Sequence, residues 1–158
     1  MAVAPTTLND EAIVRFLGGL WRLNRRMKHD VSPLMEMHGL DMRRFFILFN
    51  VRKGTVYPKE LSETLQIPST LLSRYIDQLV KQGLLERQID ERDSRRTRLS
   101  LTTQGQATFQ AVVDDIKAYT SQRLVHLQPE QLFAMLDAMD MLTSLPGIAH
   151  PTAPENDE

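Results

Sequence analysis

Residues 69–78, Ser-Thr-Leu-Leu-Ser-Arg-Tyr-Ile-Asp-Gln, carry hydrogen-bonding side chains at a spacing suited to reading a nucleic acid. If Leu72, Ile76, Leu79 and Val80 form the apolar stripe of a helix, then Thr70, Leu71, Ser73, Arg74, Asp77 and Gln78 face outward. The guanidinium fork of Arg74 matches guanine O6 and N7 in a major groove, or clamps a phosphate. The alternative is a surface arginine paired with Asp77 or Gln78. Ser69, Thr70 and Ser73 can donate to phosphates or base edges, with Ser69 and Thr70 equally suited to capping the helix. Leu71, apolar on a polar face, either meets a thymine methyl or packs beneath the hairpin that follows. A second set lies in the charge-dense stretch from Asp90 to Arg96 and just beyond it. There Arg92, Arg96 and Arg98 suit phosphate contacts, a solvated charged loop being the other reading.

The surrounding chain supplies elements to hold these groups. Ile13, Phe16, Leu17, Leu20, Trp21 and Met27 recur at helical spacing behind Asn9 and Asp10, predicting a helix over about 10–30. Pro33 and Gly39 bracket a connector, and Asp41 caps a second helix with Phe45, Leu48 and Phe49 inward. Thr55-Val56-Tyr57 predicts a short strand. Pro58 suits the first position of a third, short helix with Leu61 and Leu65 inward, ending at Gln66-Ile67-Pro68. The helix bearing Arg74 closes at Gly83. Two short helices joined by so small a turn form a helix-turn-helix. Residues 84–87 and 97–101 then read as a hairpin around the charged loop, which makes a wing. Thr102 caps a fifth helix carrying Phe109, Val112, Val113, Ile116 and Leu127, and a sixth runs over about 130–144 with Leu132, Leu136 and Met139 on one face. Residues 146–158 are expected to form a disordered tail.

Bulk properties narrow the function classes. With 158 residues the chain fits one structural domain, and with no cysteine it has neither disulfides nor thiolate chemistry. No apolar run approaches the roughly 20 residues of a membrane span, so a soluble, cytoplasmic protein is expected. The net charge of −1 argues against a nucleic-acid partner only until it is resolved along the chain. Residues 1–42 balance at zero, 43–98 carry +5 and 99–158 carry −6. A duplex responds to the field within about 8 Å at physiological salt, so the local excess governs. No glycine-rich phosphate loop, nucleophile-base set or metal motif is present, so neither an enzyme nor a bound cofactor or metal is expected.

The order of helices and hairpin resembles the MarR family of winged helix-turn-helix regulators over nearly the whole chain. The specific signal is Asp90-Glu91-Arg92-Asp93-Ser94-Arg95 followed by Leu99-Ser100-Leu101-Thr102 and Gly105, with Leu79 and Gly83-Leu84 upstream. The resemblance implies a mainly α fold with a small β-hairpin wing, and a homodimer whose first, fifth and sixth helices interdigitate. Long apolar stripes on both terminal segments suit a dimer independently. It implies that Arg95 enters the minor groove while Asp93 holds its side chain. The family often has arginine where this chain has Ser94, which weakens that contact or passes it to Arg96. The expected map is dimerisation helices in 1–54, a DNA-binding lobe in 55–102, further dimerisation helices in 103–145 and a tail in 146–158. The expected function is a repressor of double-stranded DNA with a palindromic operator, released by a small aromatic or anionic effector. Trp21, Arg22, Arg25, Met42, Phe45 and Phe46 are the implied effector lining, unless the methionine and phenylalanines are ordinary core.

Overall fold

A computed structural model of the chain describes residues 9–90 and 93–147. Asn9 opens α1 (Asp10–Glu36) by accepting the Ala12 amide at 2.8 Å. The helix runs through Pro33, where a connector was expected. Proline there forfeits one backbone bond, and the buried Val31 and Met35 on either side hold the last turns against the core. Leu40 donates back to the Met35 carbonyl at 3.0 Å, and Asp41 then caps α2 (Met42–Lys53) through the Arg44 amide at 2.8 Å.

Pro58 begins α3 (Pro58–Leu65), and α4 (Ser69–Lys81) follows after three residues. In that turn Ser62 Oγ donates to the Ile67 carbonyl at 2.7 Å and Ile67 donates to the Ser62 carbonyl at 3.1 Å. The cap of α4 is Pro68, with no side-chain bond; its carbonyl accepts both Leu71 and Leu72 at 2.9 Å. Ser69 and Thr70 therefore lie inside the helix instead of capping it. Gly83, at φ +70°, turns the chain into β1 (Leu85–Ile89), which pairs antiparallel with β2 (Thr97–Leu101) in the register Leu85 with Leu101 and Ile89 with Thr97. The strand expected at 55–57 does not form. Val56 contributes one bond, its carbonyl accepting the Leu99 amide at 2.8 Å.

Thr102 ties hairpin to helix: its hydroxyl accepts the Gly105 amide at 2.9 Å and donates to the Gly83 carbonyl at 2.5 Å, opening α5 (Thr103–Leu124). A Cβ on Gly105 would lie 1.9 Å from the Leu84 carbonyl oxygen, so only glycine permits this crossing. Leu127, expected on α5, falls beyond its end. The last helix is α6 (Pro129–Ser144).

By contacts the chain divides at Lys117 into two units. The first holds the core, where Leu48, Leu61, Leu72, Leu79, Leu99 and Val112 are among the fully buried side chains and Phe45 stacks on Phe109 at 5.2 Å. The stripe predicted on α1 stays outside it: Phe16, Leu20 and Met27 are exposed, and Trp21 is 68% exposed. In the second unit α6 has no buried residue, and Phe133, Leu136, Met139 and Met141 are exposed. Among the described residues no helix is long and apolar enough to cross a membrane.

Candidate nucleic-acid interface

Two exposed groups of side chains make the candidate interface, one on α4 and one at the wing. The predicted stripe of α4 is correct: Leu72, Ile76 and Leu79 are buried, while Ser69, Thr70, Ser73, Arg74, Asp77 and Gln78 are exposed. Ser69 Oγ lies 3.2 Å from Ser62 Oγ across the turn. Asp77 does not pair with Arg74. It accepts Arg87 Nη2 at 2.6 Å, an ion pair that joins α4 to β1 and leaves Arg74 without an ion pair among the described residues. On the opposite flank Arg43 of α2 donates to Tyr75 Oη at 2.9 Å, a bond that holds the Arg43 guanidinium more firmly in its charged form. Leu71 is half-buried and lines a cleft of about 270 Å³ with Met42, Phe46 and Ile67, so it faces α2 and the turn instead of the hairpin.

The wing is organised around Asp90, the one buried charged residue among those described, at 8% exposure. One carboxylate oxygen accepts Tyr57 Oη at 2.5 Å and the other accepts the Asp93 amide at 3.0 Å. The Asp90 amide donates to the Arg96 carbonyl and the Arg96 amide to the Asp93 carbonyl, both at 2.9 Å. Such closed pairing spares buried polar groups their desolvation cost. Tyr57 pays back in kind: its bond to Asp90, then burial, then the Asp90 charge raise its pKa above the ordinary value of 10.0.

These bonds separate two neighbouring arginines. Asp93 accepts the backbone amide of Arg95 at 3.0 Å, so it holds the Arg95 backbone and not, as expected, its side chain. The Arg95 side chain is exposed. Arg96 lies 3.7 Å over the Tyr57 ring with Nη2 3.5 Å from Glu60 Oε1, drawn back against α3 instead of standing out for a phosphate. Arg98 is half-buried and lines a groove between α2, β2 and α5. Arg92 lies outside the described residues. Tyr57, Arg87 and Glu60 were not singled out from sequence; each acts through a partner at least ten positions away, which no local pattern reports.

The fold around this interface has relatives. A family model described as "MarR family" matches residues 38–96, the span of α2, the helix-turn-helix and most of the wing. Over that stretch the chain is similar to the MarR family. It is 30% identical over 87 residues to the HTH-type transcriptional regulator PrsX of Escherichia coli, covering 53% of this chain and 52% of PrsX, so it matches about half of that relative's length. It is 25% identical over 114 residues to the HTH-type transcriptional repressor MdtR of Bacillus subtilis, covering 72% and 74%. In fold it is similar to the YusO protein of Bacillus subtilis, with a TM-score of 0.70 at 21% identity, over 89% of this chain and 100% of that one.

The effector lining implied by MarR-family resemblance is not one site within this protomer. Phe45 is a core residue at 8% exposure. Met42 and Phe46 line the cleft shared with Leu71. Arg22 and Arg25 border a groove with Arg26 and His29, all on α1. Trp21 stands in the open on α1. Sequence spacing placed the six on helices correctly but not on faces that converge.

Proposed function

We propose that this chain is a MarR-family, sequence-specific, double-stranded DNA-binding transcriptional regulator, a cytoplasmic homodimer that represses at a palindromic operator until a small aromatic or anionic effector releases it. The observation that carries the reading is the freedom of Arg74. The α4 face bearing Ser69, Thr70, Ser73 and Arg74 is exposed, and the acid best placed to neutralise Arg74 is held by Arg87. An exposed arginine on a recognition helix, beside a wing that exposes Arg95, fits one groove reader and one flanking contact. Names of the relatives, a regulator and a repressor, support the same class.

Dimerisation accounts for the rest of the chain. The exposed apolar residues of α1 and, separately, of α6 suit burial against a second copy. Two copies must then hold their recognition helices about 34–36 Å apart, one turn of DNA. An effector that favours another spacing releases DNA by shifting the population.

Fluorescence anisotropy on the DNA upstream of the protein's own gene, against random duplex and over a salt series, tests the reading. Tighter binding to the upstream fragment is expected, with Arg74→Ala narrowing the gap. Equal binding to both duplexes, or none at low salt, would overturn it.

A further inference from the structure

The first turn of α2 carries two cations where a helix disfavours them. Arg43 and Arg44 follow the Asp41 cap, and no acidic residue shares that turn. The positive end of the helix dipole repels both, a placement that weakens the helix unless each charge is answered nearby. For Arg44 the answer is local: its Nε donates to Asp41 Oδ2 at 3.1 Å. Arg43 is exposed and forms no ion pair among the described residues. Its partner is neutral. Arg43 Nη1 donates to Tyr75 Oη at 2.9 Å, and the guanidinium carbon stands 6.0 Å from the centre of that ring. A phenol restrains the long side chain without cancelling its charge, so less rotamer freedom remains to be lost when an anion arrives.

The position of this pair on α4 fixes which anion it can meet. Successive helix positions turn by about 100°, which puts Tyr75 on one side of Arg74 and Asp77, two residues later, on the other. Asp77 is held by Arg87 of β1, so the hairpin flanks α4 on that side. Leu71, one turn before Tyr75, borders the cleft at the helix-turn-helix corner together with Arg43, so α2 flanks the other side. A helix with its side chains is about 10–12 Å across and a major groove is about 12 Å wide. A helix lying in that groove therefore has a sugar-phosphate strand against each flank. Arg74 stands on the outward face, toward base edges, and Arg43 stands beside it, toward the groove wall. Asp41, the nearest acid in sequence, is engaged by the Arg44 amide at 2.8 Å and the Arg44 guanidinium at 3.1 Å.

We infer that Arg43 binds a phosphate of the DNA backbone on the α2 side of the recognition helix, with Tyr75 as the residue that positions it. The N–H groups of the guanidinium that are not given to Tyr75 are left to pair with phosphate oxygens, side by side as the planar fork allows. The inference rests on the DNA-binding reading and adds to it a contact that lies outside both the helix-turn-helix and the wing. Phosphates are alike under every base pair, so this contact strengthens binding to any duplex and holds α4 in register without reading sequence. Arg43 holds the duplex, and Arg74 discriminates within it.

Anisotropy titrations of the full chain over a salt series test this, with a random-sequence duplex and with the DNA upstream of the protein's own gene. Arg43→Ala should raise the Kd for both duplexes by a similar factor, about tenfold, and lower the salt slope by about one. Arg43→Lys, which keeps the charge, should restore the slope. Tyr75→Phe keeps the ring and should weaken binding to both duplexes several-fold when Arg43 is present, yet add nothing in the Arg43→Ala background. A tyrosine that only stabilised the fold would weaken both backgrounds alike, and that result would overturn its positioning role. Wild type that binds neither duplex at low salt overturns the DNA-binding reading and this inference with it. Wild-type binding combined with an unchanged slope and affinity for Arg43→Ala, or with a loss confined to the upstream fragment, overturns this inference alone.

Discussion

Tyr57 donates its phenolic hydrogen to Asp90 over a distance of 2.5 Å, joining the residue that precedes α3 to the first residue of the wing loop. The Arg96 guanidinium covers the same ring. Tyr57 therefore helps hold the wing against the helix-turn-helix, beside the Asp77–Arg87 ion pair and the Leu99–Val56 backbone bond. Tyr57→Phe removes the bond and keeps the ring. The variant should bind cognate DNA several-fold more weakly, with an unchanged salt slope because no phosphate contact is lost. Anisotropy titrations at four salt concentrations measure both.

The same pair sets a pH dependence. The folded-state pKa of Tyr57 lies above its ordinary value of 10.0, so its stabilising contribution is complete below that value and is lost as pH rises through the folded pKa. The stability difference between wild type and Tyr57→Phe should be constant from pH 7 to about 9 and shrink at higher pH. Urea midpoints across that range check it; a gap that widens with pH contradicts the assignment.

The Asp77–Arg87 ion pair keeps Asp77 away from Arg74, which lies three residues earlier on the same helix. Arg87→Ala should free Asp77 to pair with Arg74 and weaken operator binding. Arg87→Ala with Asp77→Ala should recover much of the loss, whereas Arg74→Ala should cost about 1–3 kcal/mol of discrimination outright. A double-mutant cycle on operator affinity separates this shielding from a direct DNA contact by Arg87.

Arg95 and Arg96 are adjacent in sequence and differ in what holds them. Arg95→Ala should lower the salt slope of affinity by about one, as expected for one lost phosphate-equivalent contact. Arg96→Ala should leave the slope in place and reduce affinity only through the loosened wing. Slopes unchanged from wild type in both variants would show that neither arginine reaches a phosphate.

Gly105→Ala should destabilise the fold by about 3 kcal/mol, the upper end for forcing an added methyl group into a close-packed contact. Its Cβ meets the Leu84 carbonyl, a backbone atom that cannot swing aside. The urea midpoint measures the loss.

Amphipathic periodicity is a local property, and what depended on it was legible in the residues themselves. The outward face of α4, the caps at Asp41 and Thr102, Pro58 opening α3 and Gly83 closing the turn all follow from side-chain types at fixed short offsets. What each side chain meets across the fold was not. Pro33 reads as a break, yet the burial of Val31 and Met35 carries α1 past it. Tyr57 and Asp90, 33 positions apart, carry no signal of their bond. Asp93 supports a backbone amide instead of a guanidinium, and Arg96 is drawn back by an aromatic ring from another element. Phe45 and Phe46 are neighbours in sequence and part company in space, one in the core and one in a cleft, because successive helix positions turn by about 100°. The amino-acid sequence by itself determined which groups could act and on which face of each helix they stand. Tertiary packing decided which of them remain free, because a charged side chain is committed by the nearest partner in space and not by the nearest in sequence.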